Sequence, residues 1–136
     1  MNQENNQAEN RLRLAFAAGA ITDGHAIVPM LCPYMAKLLW GFDSFSGQYF
    51  FAMGYAASLM LGWTVLLIWA YNNPLECRFV ALLTLVVIAG LFLTEIAIIL
   101  AGTIDLINII PTFAIQIVLA YLFLTGYLYS APKNPK

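Results

Sequence analysis

Four apolar runs, at about residues 12–38, 49–71, 79–101 and 106–129, take up nearly all of this 136-residue chain. A bilayer core about 30 Å thick takes roughly 20 helical residues to cross. Each run is long enough, and only helices and closed barrels satisfy every backbone group in lipid. The composition agrees: 62% of residues are hydrophobic and 10% charged, against about 45–50% and about 25% in an ordinary soluble domain. The expected fold is therefore an all-α membrane protein, with four transmembrane helices in an antiparallel bundle. The polar residues 1–11, MNQENNQAENR, read as a disordered tail, and 130–136 as a second tail.

Topology follows from the basic residues. With four crossings, both termini and the 72–78 loop share a side that carries Arg11, Arg13, Arg78, Lys133 and Lys136. The other side carries only Lys37. Five against one places both termini in the cytoplasm, most simply of a bacterial inner membrane. No basic cluster suggests nucleic acid. Cys32 and Cys77 have no CxxC or metal spacing. A lone histidine does not supply two axial imidazoles for a haem. Three or four convergent zinc ligands are not in evidence either, so no metal and no cofactor is expected.

Small residues recur at helical spacing and predict packing faces. They are Ala15 and Gly19 in the first span, Gly54, Ser58 and Gly62 in the second, and Gly90, Thr94, Ala97 and Ala101 in the third. The fourth carries Asn108, Thr112, Gln116 and Ala120. Such faces also suit a second copy or a larger membrane partner.

Asp23, His25 and Glu95 differ in kind. An ionised side chain at the centre of a span costs roughly 2.5–3.5 kcal/mol on the insertion scale, and ionisable residues in spans mark sites by default. At about 1.5 Å per residue, Asp23 lies roughly 16 Å, His25 roughly 19 Å and Glu95 roughly 24 Å from the starts of their spans. Tyr55, Thr112 and Gln116 fall near the same depth. A polar cluster of these six is expected, with His25 and Glu95 as partners that titrate as one unit. Pro29 and Pro33 each free a carbonyl one turn earlier, and Gly24 loosens the same stretch. The first helix is thus expected to be kinked or broken around Gly24–Pro33, beside a polar cavity.

In size and in its four crossings the chain resembles the small multidrug resistance transporters. Its layout is also similar to the small four-helix bacterial membrane proteins typified by the DoxX-like families. The likeness is one of architecture. Those transporters carry an essential glutamate in the first span and little charge bias, whereas here the first span holds Asp23, the third Glu95, and the bias is strong. The expected function is binding or transport of a small ligand or a proton through the intramembrane cluster. The alternatives are an accessory or assembly subunit of a larger membrane complex and, third, an intramembrane enzyme.

Reporter fusions at Lys136 and at Ser46 should label opposite sides of the membrane, with Lys136 cytoplasmic. Equal labelling of both positions from both sides would mean dual insertion and would overturn the charge argument.

Overall fold

The computed structural model describes residues 2–130, with side chains from residue 6 onward. Among these the chain is all-helical: α1 (Asn2–Leu31), α2 (Pro33–Trp40), α3 (Gly47–Asn72), α4 (Arg78–Leu100) and α5 (Leu106–Tyr129). Four of the five, all but α2, are long and apolar enough to cross a membrane, as the sequence predicts. Residues 131–136 of the expected C-terminal tail lie outside the described residues.

Two boundaries differ from expectation. The first helix begins at Asn2 instead of near Leu12, so most of the expected disordered tail is helical. Ala8, Leu12 and Ala15 are buried along one edge of it, so packing, which propensity alone does not reveal, extends the helix. The helix also runs unbroken through Gly24 and Pro29 to Leu31. The interruption falls at Cys32, whose φ of −113° and ψ of 106° are extended. That is the conformation imposed on a residue preceding proline, and Pro33 then opens α2, where its missing N–H costs nothing. Gly41, at φ 72°, ends α2 in the left-handed region that favours glycine.

Close packing concentrates at the end that holds the termini. Phe16, Leu67, Ala81 and Phe123 are fully buried there, one from each long helix. The helices associate in the order α3–α1–α5–α4, and α3 and α4 scarcely touch. Three arginines repeat this order at the same end. Arg13 of α1 lies over the Tyr71 ring of α3 at 5.7 Å, and Arg11 of α1 over the Tyr129 ring of α5 at 4.0 Å. Arg78 of α4 lies over the Tyr127 ring of α5 at 4.8 Å. A cation over an aromatic face contributes about 0.5–1 kcal/mol at an exposed site.

Of the expected glycine-bearing faces only that of Gly19 packs closely within the chain, and Gly126 of α5, outside the expected stripes, packs against the same helix. A Cβ at Gly19 would come 2.8 Å from the Phe123 ring and 3.0 Å from a Leu67 methyl, and one at Gly126 would come 3.2 Å from Leu12. Gly54, Gly62 and Gly90 have open space around them. Ser58 and Thr94, on the same faces, donate to the Gly54 and Gly90 carbonyls of their own helices. Hydroxyls committed this way do not join helices, so the α3 and α4 stripes point away from the fold.

Gly19→Leu and Gly126→Leu should therefore lower stability by about 1–3 kcal/mol through overpacking. Gly62→Leu and Gly90→Leu should stay within about 0.5 kcal/mol of wild type. Thermal unfolding in detergent would rank them, and equal losses at all four positions would contradict this packing.

Candidate functional site: a polar-girdled cleft

Because α3 and α4 are joined at one end and separate toward the other, they leave a cleft between them. It has a volume of about 870 Å³. Met60 and Trp63 of α3 form one wall, Val87 and Leu91 of α4 the other, with α1 and α5 behind. Leu38, Leu39 and Trp40 of α2 border its far end. There α2 is held against α5, where a side chain on Gly41 would collide with the Asn108 amide.

Four of the six expected site residues line this one cavity: Asp23, His25, Thr112 and Gln116. Tyr55 does not. It is 64% exposed and packs its ring on Phe51 at 4.9 Å. Depth counting places Tyr55 at the right level, but it does not give the direction a side chain faces.

Glu95 reaches the site indirectly, through a partner other than the expected one. Gln116 Nε2 donates to Glu95 Oε1 at 2.8 Å, joining α5 to α4. His25 bonds within its own helix, Nδ1 to the Ile21 carbonyl at 2.7 Å. The carbonyl accepts, so Nδ1 carries the hydrogen in that contact. The two residues expected to pair are therefore not brought together. Pro29, one turn beyond His25 on α1, is buried and also lines the cleft.

The Glu95–Gln116 pair has one further property. Glu95 Oε2 and Gln116 Oε1 are both buried without a partner. Two acceptors do not bond each other. A proton on Glu95 Oε2 would donate to Gln116 Oε1 and close a ring of two reciprocal hydrogen bonds, satisfying both atoms. Leaving a buried polar atom unsatisfied costs about 1–3 kcal/mol.

Residues outside the expected six-residue cluster complete the lining. Trp63 contributes its ring to the wall, while its Nε1–H is closed off from the cleft and has no partner. Asn108 borders the far end. The Thr22 and Thr84 hydroxyls also line the cleft, each donating to a carbonyl of its own helix, Ala18 at 2.9 Å and Val80 at 2.8 Å. Among the described residues no lysine or arginine lines the cleft. A tryptophan in an apolar run is ordinarily read as core or interface belt, and only the fold shows Trp63 at the cleft wall.

Comparison with known protein families, with curated proteins and with solved structures finds no match to this chain. The functional argument therefore rests on the cleft itself.

Glu95→Gln should preserve the ring, because an amide pair also bonds reciprocally, and should leave stability nearly unchanged. Gln116→Leu should cost about 1–2 kcal/mol by stranding the carboxyl. At fixed pH the His25 ring signals in NMR should keep their chemical shifts in Glu95→Gln, and displaced signals would restore the direct His25–Glu95 partnership.

Proposed function

We propose that this chain is a small integral membrane protein that binds a small ligand in the cleft between α3 and α4, or passes it across the membrane there. In this reading the four long helices form an antiparallel bundle, and both termini face the cytoplasm of a bacterial inner membrane. The observation that carries it is convergence: Asp23, His25, Thr112 and Gln116, from two helices, line a single cavity whose other walls are largely apolar. A few placed polar groups in a largely apolar cavity of roughly 300–1,000 Å³ is the usual form of a small-molecule site. Glu95 acts behind Gln116, orienting its amide, and is the proton-bearing group of the pair. Pro29 and Gly24 shape the α1 wall.

A second reading has its own support. The open faces at Gly54, Ser58 and Gly62, and at Gly90 and Thr94, suit close approach by another membrane helix. An accessory subunit would use those faces and would not need the cleft.

Trp63 allows the cleft to be tested. In a Trp40→Phe, Trp69→Phe background, the apolar membrane-soluble quencher 10-doxylnonane should quench Trp63 in vesicles along a saturating curve. Filling the cleft with Leu91→Phe and Thr112→Phe should convert the curve to a linear one. A linear curve for the unfilled protein would mean ordinary lipid contact and would favour the accessory reading.

A further inference from the structure

We infer that the cleft binds a protonated amine carried on an apolar body, with its ammonium at Asp23; this rests on the cleft being a ligand site. Charge gives the first half of the argument. Asp23 is the acidic residue of the lining. It has no ion partner: the pairs among the described residues are Arg13 with Glu9 and Lys37 with Asp43. Its carboxyl has no hydrogen-bond partner there either. Neither of its oxygens is sealed in protein, in contrast to Glu95 Oε2. A carboxylate within a span is costly unless an opposite charge or hydrogen bonds satisfy it, and no lysine or arginine among the described residues borders the cleft. An anionic occupant would add to this uncompensated charge. A cationic one cancels it.

Hydrogen bonding gives the second half. Besides Asp23, the carbonyls of His25 and Ile107, two further lining residues, only accept. Each lacks the N–H that a helix supplies one turn on, because Pro29 and Pro111 stand in those places inside α1 and α5. The donors of the lining are spent elsewhere. Gln116 Nε2 donates to Glu95, and His25 Nδ1 to the Ile21 carbonyl. The Thr22 and Thr84 hydroxyls donate to their own helices. Trp63 Nε1–H is closed off from the cleft. The Thr112 hydroxyl and the Asn108 amide serve either way. What the cleft lacks is donors, and an ammonium brings both donors and the missing charge. Met60, Val87, Leu91 and Ile115 are among the apolar residues around it, and the volume of about 870 Å³ leaves room for a hydrocarbon body.

Probes built on one rigid cage separate charge from hydrogen bonding: 1-adamantylamine, its N,N,N-trimethylammonium analogue, 1-adamantanol and 1-adamantanecarboxylate. Equilibrium dialysis of tritiated 1-adamantylamine against the purified full-length protein in detergent, near neutral pH, would be compared with protein-free micelles. The amine should bind saturably. The alcohol and the carboxylate should displace it only at concentrations about tenfold higher or more, the worth of a hydrogen bond to a charged group. The trimethylammonium analogue, with the charge and no N–H, should fall between. Asp23→Asn should weaken amine binding by about tenfold or more. Asp105→Asn, at an exposed acid outside the cleft, should leave it unchanged. Equal displacement by the alcohol or the carboxylate would overturn the amine assignment while leaving the cleft a ligand site. A trimethylammonium analogue as strong as the amine would overturn the donor half of the argument. Amine binding that survives Asp23→Asn, or survives filling the cleft with Leu91→Phe and Thr112→Phe, would also overturn the assignment. So would the absence of saturable amine binding, whereas the Trp63 quenching curve decides the ligand-site reading separately.

Discussion

Every feature of the cleft depends on α3 and α4 being joined to each other at one end only. Three arginine–tyrosine contacts and the Phe16–Phe123 pair, with ring centroids 6.0 Å apart, hold the ends near the termini. Glycines 19 and 126 bring α1 close enough to its neighbours for this packing to form. Lipid chains are as apolar as leucine, so helices in a bilayer associate where packing is close or polar groups meet, and elsewhere gain nothing by closing. The α3 and α4 walls have close packing at the termini end and none beyond it. The gap between them is the direct result.

The polar girdle follows from the same distribution of contacts. Gln116 and Glu95 satisfy each other across α4 and α5 at middle depth, and this bond is the one polar tie between long helices outside the clamped end among the described residues. It holds the α4 wall to the body of the protein. The α3 wall has no corresponding tie, because the hydroxyls of Ser58 and Thr64 return to their own helix. Asp23 and His25 are consequently left to line the cavity.

Much of this was legible in the sequence, and the limits have physical causes. Hydropathy alone set three of the four crossings to within about two residues, since a helix in lipid ends where apolar residues end. The start of α1 was not legible, because residues 2–11 are polar and their helix is sustained by packing against α5 that no local pattern encodes. Depth arithmetic brought Asp23, His25, Thr112 and Gln116 to a common level. Depth is only one of two coordinates, and the rotation of each helix decided that Tyr55 faces out and that Glu95 meets Gln116. The small-residue stripes of α3 and α4 show the same gap: spacing identifies a face, and it does not say whether this chain or something else covers it.

The short 72–77 connection has a mechanical meaning beyond its role as a turn. It is the fulcrum for two rods of unequal attachment, each roughly 35 Å long at about 1.5 Å per residue. A relative rotation of about 5° at that fulcrum displaces their free ends by about 3 Å over such a length. Movements of side-chain size among Ala70, Cys77 and Val80, all buried beside the turn, are thus magnified at the opposite surface. The width of the cleft at its far end is therefore most sensitive to packing at the opposite end of α3 and α4.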